Sequence, residues 1–304
     1  MKIVRSQARF WWPLAASLLF ACAADGGAGA SSDANAASRV MSTHHEEEVG
    51  TAPGTPDNVT DGDREGEGNF RVLVTGFNDW KELGDPPNVW RCRDNPSCRL
   101  LLGEERLERP ETVEGGELIP RLLALKTTPD GRDIEWSFAT MPVTWQVSEE
   151  VSIVDHDLVI HLGLGVYDRF DQIKLERGAY NARRGKDAAG DTRDEKIQAE
   201  LGEVKSAASE SGIDAILDGL DGASFAGYEV AVARARPENS YLCNETHFRA
   251  LVELDAAIDA GARLRRVHFV HIPYAENEDY ARLAEGVGQL IGALISGRTK
   301  AVLG

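Results

Sequence analysis

Phe70-Arg71-Val72-Leu73-Val74-Thr75-Gly76 is the stretch on which the reading of the fold turns. Apolar and β-branched residues run almost unbroken until a glycine ends them, the pattern of a buried strand. Asp157-Leu158-Val159-Ile160-His161-Leu162-Gly163 is a second such run. Working outward, Trp136 to Trp145 alternates enough to be a strand, and Tyr228 to Ala235 and Arg266 to Ile272 are strand-like. Helical pattern is expected over Pro120 to Leu125, where proline suits a first turn. It is expected again over Ile213 to Leu220, from after Ser240 to about Ala260, and over Asp279 to Ser296. Residues 77–98, with their prolines, read as a long loop, and 182–212 as a loop plus one short helix. Strands alternating with helices imply an α/β fold, a mostly parallel sheet with helices on both faces, in a single domain over 69–304. Ligand sites of such sheets gather at the carboxyl ends of strands. Gly76-Phe77, the pair Gly163 and Gly165, and His271-Ile272-Pro273 occupy that position.

The 304 residues carry a formal net charge of −17, which argues against a nucleic-acid partner. Residues 1–22 read as a lipoprotein-type signal peptide. Lys2, Arg5 and Arg9 precede an apolar run, Phe10 to Ala21, that is too short for a comfortable membrane span. It ends in Leu19-Phe20-Ala21-Cys22, similar to the bacterial lipobox, in which a small residue precedes the cysteine that takes the lipid; Phe20 is bulkier than usual there. Residues 23–68 read as a disordered acidic linker, rich in Ala, Gly, Ser, Asp and Glu without apolar period. Its His44-His45-Glu46-Glu47-Glu48 is read as a solvated charge run rather than a metal site. The chain is therefore expected to be exported to the cell envelope and lipid-anchored at Cys22, or otherwise secreted.

Of the four cysteines, Cys92 and Cys98 stand six apart in a loop-like stretch and can close a small disulfide loop in an oxidising compartment. Cys243 is then left as the lone thiol. It follows a strand and a turn and opens a helix, a setting that lowers a thiol pKa and offers backbone N–H groups to an oxyanion. A thiol nucleophile needs a base, and His271 ends a strand where the layout expects a site. His268 and His271 are three apart on that strand and face opposite sides, so they are not a shared metal site.

Several separated segments resemble the pyroglutamyl-peptidase family of cysteine hydrolases. Val72-Leu73-Val74-Thr75-Gly76-Phe77 looks like that family's opening strand and Thr-Gly-Phe turn. Tyr241-Leu242-Cys243-Asn244 looks like the segment holding its cysteine, and Phe269-Val270-His271-Ile272-Pro273-Tyr274 like its histidine strand. Glu176-Arg177 followed by Asn181 is similar to its Glu-Arg motif, and Asn95-Pro96-Ser97 to its Asn-Pro-Ser. The resemblance spans residues 70–296. It implies a Cys243–His271–Glu176 triad that removes pyroglutamate from the N-terminus of a peptide substrate through an acyl-enzyme. That mechanism needs no metal or organic cofactor. It also implies that aromatic residues of the first loop, Phe77 and Trp80, hold the lactam ring.

The chain departs from the family in its first loop. Phe77-Asn78-Asp79-Trp80-Lys81-Glu82 lacks the usual glycine pair and leads into an insertion containing Cys92. The family's assisting arginine is replaced by Lys186, with Arg183 and Arg184 nearby. Lysine does not reproduce the planar fork of arginine. A hydrolase of another acyl or lactam substrate, or a non-catalytic peptide-binding lipoprotein on the same fold, are the alternatives to a cysteine exopeptidase.

Overall fold

The computed structural model describes residues 68–78, 95–103, 116–147, 151–166, 168–207 and 212–297. Residues 1–67, which include the segment read as a signal peptide with Cys22 and all but the last residue of the expected linker, lie outside these residues, as do Trp80 and Cys92. Among the described residues no helix is long and apolar enough to cross a membrane.

The first apolar run is β1 (Phe70–Phe77), buried everywhere except at Arg71. It lies between β2 (Ile134–Met141) and β3 (Leu158–Val166), parallel to both. A strand with neighbours on each side and helices on each face leaves no room for polar alternation, which explains the unbroken sequence signal. Beyond β3 comes β11 (Arg266–Pro273), also parallel. β11 then meets β4 (Gln172–Glu176) in antiparallel register, β4 runs parallel to β10 (Tyr228–Ala233), and β9 (Ser224–Phe225) closes the edge. The seven-stranded order is β2-β1-β3-β11-β4-β10-β9, a mostly parallel sheet.

Helices cover both faces. On one side, α1 (Pro96–Leu102) approaches β1 so closely that a methyl on Gly76 would lie 2.6 Å from the Ser97 carbonyl oxygen. On the same side α5 (Tyr280–Ser296) buries Leu283, Val287, Leu290, Ile291 and Leu294 along one stripe. Each such leucine or isoleucine contributes about 1.5–3 kcal/mol when fully removed from water. α5 packs beside α2 (Leu118–Ala124), and Gly286 lets Tyr228 of β10 in, since a methyl there would stand 2.8 Å from its ring. On the other side lies α4 (Leu242–Asp259). A shorter α3 (Ile213–Leu220) precedes β9 and β10.

The structure departs from the sequence reading in four places. Residues 95–98 are not all loop: Asn95 caps α1, its Oδ1 accepting from the Ser97 N–H at 3.1 Å. The strand expected to reach Trp145 ends at Met141, because Pro142 has no N–H to continue a ladder. Residues 182–207 contain no helix but three strands: β6 (Arg183–Lys186) and β7 (Thr192–Glu195) form a hairpin, and β8 (Val204–Ser206) pairs with β5 (Gly178–Tyr180). In the hairpin Arg183 stands opposite Glu195 and Arg184 opposite Asp194, each as an ion pair. The charges are therefore matched across strands rather than along one helix face. Finally, β4 and β10 run against β11, so the carboxyl-end rule applies to β1, β3 and β11 but not to the strands on their far side.

Candidate active site

Gly163 and Gly165 are two residues apart on β3 and face the same side of the sheet, about 7 Å from each other. A methyl added at Gly163 would sit 2.9 Å from Cys243 Sγ and 2.9 Å from the Phe269 ring. At Gly165 it would sit 2.5 Å from His271 Cγ and 2.8 Å from Nε2. The sulfur and the imidazole thus rest on neighbouring same-face positions of one strand, and only glycine leaves the space they fill.

The register accounts for the remaining members. His271 lies opposite Gly163, and Phe269 lies opposite both His161 of β3 and Glu176 of β4. All of these side chains therefore project from one face. Because β4 is antiparallel, Glu176 arrives from the far side, and His271 Nδ1 meets its Oε1 at 2.8 Å. Both side chains are buried. Donation from Nδ1 to the carboxylate leaves Nε2, the nitrogen over Gly165, as the basic atom. His268 sits opposite Ile160 and so projects from the other face.

Cys243 carries a thiol, not a disulfide, and is partly buried in the first turn of α4. The first main-chain bond of that helix runs from the Glu245 N–H to the Tyr241 carbonyl, so earlier amides have no partner within the helix. Asn244 locks the turn in place. Its Oδ1 accepts from Tyr180 N at 2.7 Å, and its Nδ2 donates to the carbonyls of Tyr180 and Ala182. Tyr241 is held by its hydroxyl on the Lys186 carbonyl at 2.7 Å and edge-on against Trp145. A thiol on the opening turn of an 18-residue helix, beside a carboxylate-anchored imidazole, is what nucleophilic acyl transfer requires.

Around the sulfur lies a small apolar cluster separate from the main core, including Phe77, Met141, Val143, Trp145, Leu242 and Phe269. Phe77 is fixed at its backbone: its N–H donates to Ser97 Oγ at 3.0 Å, while Asn95 Nδ2 donates to the carbonyl of Asn78 at 2.7 Å. Asn95-Pro96-Ser97 therefore acts as the anchor of the turn after β1. Cys98 is disulfide-bonded, with its partner outside the described residues.

Of the cations named from sequence, none stands at the imidazole. Lys186 is exposed, Arg184 pairs with Asp194, and Arg183 is turned to Glu195 and Glu245. Asn181 is spent internally, donating to the carbonyls of Gln198, Leu201 and Gly202 and accepting from Gln198 N. Among the described residues no group of three or more His, Cys, Asp or Glu side chains could hold a metal ion.

Two histidines that carried no special setting in the sequence lie next to the site. The rings of His161 and His247 are 6.1 and 5.7 Å from Phe269, which also meets His271 at 4.9 Å and Phe77 at 6.5 Å. Thr75 Oγ1 and His161 Nδ1 are hydrogen-bonded at 2.7 Å. Burial pushes the pKa of His161 down to about 4 and that of His247 well below its ordinary value, so both are neutral at pH 7. The i, i+4 spacing of Cys243 and His247 was the available signal, since it puts both on one helix face.

No family model and no curated protein matches the chain. Solved structures similar to it include a mutant pyrrolidone carboxyl peptidase from the hyperthermophile Pyrococcus furiosus, at 20% identity and TM-score 0.48, covering 74% of this chain and 97% of that one. Pyroglutamyl peptidase I from Bacillus amyloliquefaciens matches at 18% identity and TM-score 0.48, over 75% of this chain and 95% of that one. Pyrrolidone carboxyl peptidase from Thermus thermophilus matches at 22% identity and TM-score 0.46, over 75% of this chain and 100% of that one.

Proposed function

We propose that the chain is a cysteine-type exopeptidase that hydrolyses N-terminal pyroglutamyl residues, with Cys243 as nucleophile, His271 as base and Glu176 as the group that orients it. The observation that carries this reading is the junction of three distant segments: the 2.8 Å bond between His271 and Glu176, beside a sulfur seated on the same strand face.

In the proposed cycle His271 Nε2 takes the thiol proton. The thiolate attacks the carbonyl of the pyroglutamyl residue, and the resulting oxyanion faces the first-turn amides of α4. The imidazolium returns its proton to the departing amine, and the C–N bond breaks. His271 then takes a proton from water, whose oxygen attacks the thioester; pyroglutamate leaves and the thiol is restored. Glu176 stabilises the imidazolium at both stages.

Substrate choice rests on the sequence resemblance and on pocket chemistry. A lactam has no charged amine, and the cluster beside Cys243 is apolar. Phe77, and Trp80 of the first loop, are assigned to the ring. Export and a lipid on Cys22 are part of the same proposal; Cys22→Ser should release the protein from membranes, and retention would contradict the anchor. The enzymatic reading is tested with a fluorogenic pyroglutamyl amide: turnover abolished by Cys243→Ala is expected. Binding of pyroglutamyl peptides without turnover would leave a non-catalytic receptor instead.

A further inference from the structure

Two residues after the nucleophile, the helix carries a carboxylate that the proposed reaction does not use. Glu245 is 2% exposed on its side chain, an expensive place for a charge unless it is paired. Its Oε1 receives Arg183 Nη1 at 2.9 Å and Arg249 Nε at 3.1 Å, and its Oε2 accepts the backbone N–H of Gln146 at 3.0 Å. Gln146 has φ 64, a left-handed conformation that a residue with a side chain adopts only when something holds it.

That turn, residues 142–147, is a wall of the apolar cluster beside the sulfur, through Val143, Trp145 and Val147. From the hairpin side it is held by Asp187, which accepts the Trp145 N–H at 3.0 Å. Trp145 Nε1 also donates to the Asp191 carbonyl at 2.8 Å, and its ring meets Tyr241. From the α4 side it is held through Glu245 on Gln146. One carboxylate thus ties the wall to the turn that carries the nucleophile, and Arg183 ties both to the β6–β7 hairpin.

We infer that Glu245, bridged by Arg183, is a positioning residue that sets the width of the acyl pocket by holding the 142–147 turn against the helix turn of Cys243. This rests on the acyl-transfer reading, because the pocket is an acyl pocket only if Cys243 is the nucleophile. The geometry of the wall does not depend on it.

The test uses the full chain and the variants Glu245→Gln, Arg183→Ala and Arg183→Lys. Cys243 is alkylated with a small reagent, iodoacetamide, and a bulky one, N-ethylmaleimide, and the adduct is located by peptide mass mapping. A loosened wall should raise the bulky-to-small rate ratio about tenfold in Glu245→Gln and Arg183→Ala. Arg183→Lys keeps one charged contact and should stay near the parent. On a pyroglutamyl amide the first two variants should raise KM about tenfold and change kcat less than about threefold. An unchanged alkylation ratio in both Glu245→Gln and Arg183→Ala overturns the inference whether or not the chain is active. The expected ratio without any turnover by the parent overturns the exopeptidase reading alone.

Discussion

Replacing Gly165 by alanine should disable the site while leaving the fold in place. The added methyl would lie 2.5 Å from His271 Cγ and 2.8 Å from Nε2. Carbon atoms settle at about 3.5–4.0 Å, so the ring must retreat by about 1 Å. It cannot do so freely, being bonded to Glu176 on one edge and packed on Phe269 at 4.9 Å on another. Overpacking of this kind costs about 1–3 kcal/mol. The strand recovers about 0.4–1 kcal/mol, because alanine restricts the unfolded chain and Gly165 does not occupy the left-handed region. A net loss of about 1–2 kcal/mol should lower the melting temperature by a few degrees in a domain of this size. A base displaced by about 1 Å costs about a hundredfold in rate. The assay is kcat/KM on a pyroglutamyl amide together with a thermal melt. Gly202→Ala is the control, since a methyl there meets nothing within 4 Å. Activity of Gly165→Ala within about threefold of the parent would refute the placement of the base.

Glu176→Ala leaves His271 Nδ1 buried without its acceptor and should lower kcat/KM about a thousandfold in the same assay; a loss under about tenfold would contradict the orienting role. Stability should fall as the medium is acidified. Burial holds His161 at about 4 and His268 at about 3, and His247 is lowered too, against an ordinary 6.5 in the unfolded chain. Between pH 6.5 and 4 the unfolded chain therefore binds protons that the folded chain does not, and His161 alone withdraws on the order of 3 kcal/mol across that window. Urea unfolding at pH 7.5 and pH 4.5 measures this, and equal free energies would contradict it. Asn95→Ala removes the cap of α1 and the bond to the Asn78 carbonyl, and should cost about 1–2 kcal/mol in a denaturant titration.

The strands that the sequence announced are those buried on both faces. β1 and the amino-terminal part of β3 need apolar residues at consecutive positions, and that demand is visible in one dimension. The hairpin of β6 and β7 was hidden because its side chains are matched to a partner strand six to twelve residues away, as Arg184 is to Asp194. Cys243 and His271 were legible from their places at a helix start and a strand end. Glu176 was legible only through resemblance to a motif. Its approach depends on β4 running antiparallel to β11, a pairing between residues about a hundred apart that no local pattern encodes. Glu245 looked like one acid among many; Arg249 is its i, i+4 neighbour on α4, but its contact with Arg183 exists only once the hairpin folds over the helix.

The acyl-enzyme itself is the direct test of the central claim. A pyroglutamyl ester mixed with the full chain and quenched in acid should give a protein heavier by one pyroglutamyl group, mapped to the peptide containing Cys243 and absent from Cys243→Ala. An adduct on another residue, or turnover that survives the loss of this thiol, would contradict the account.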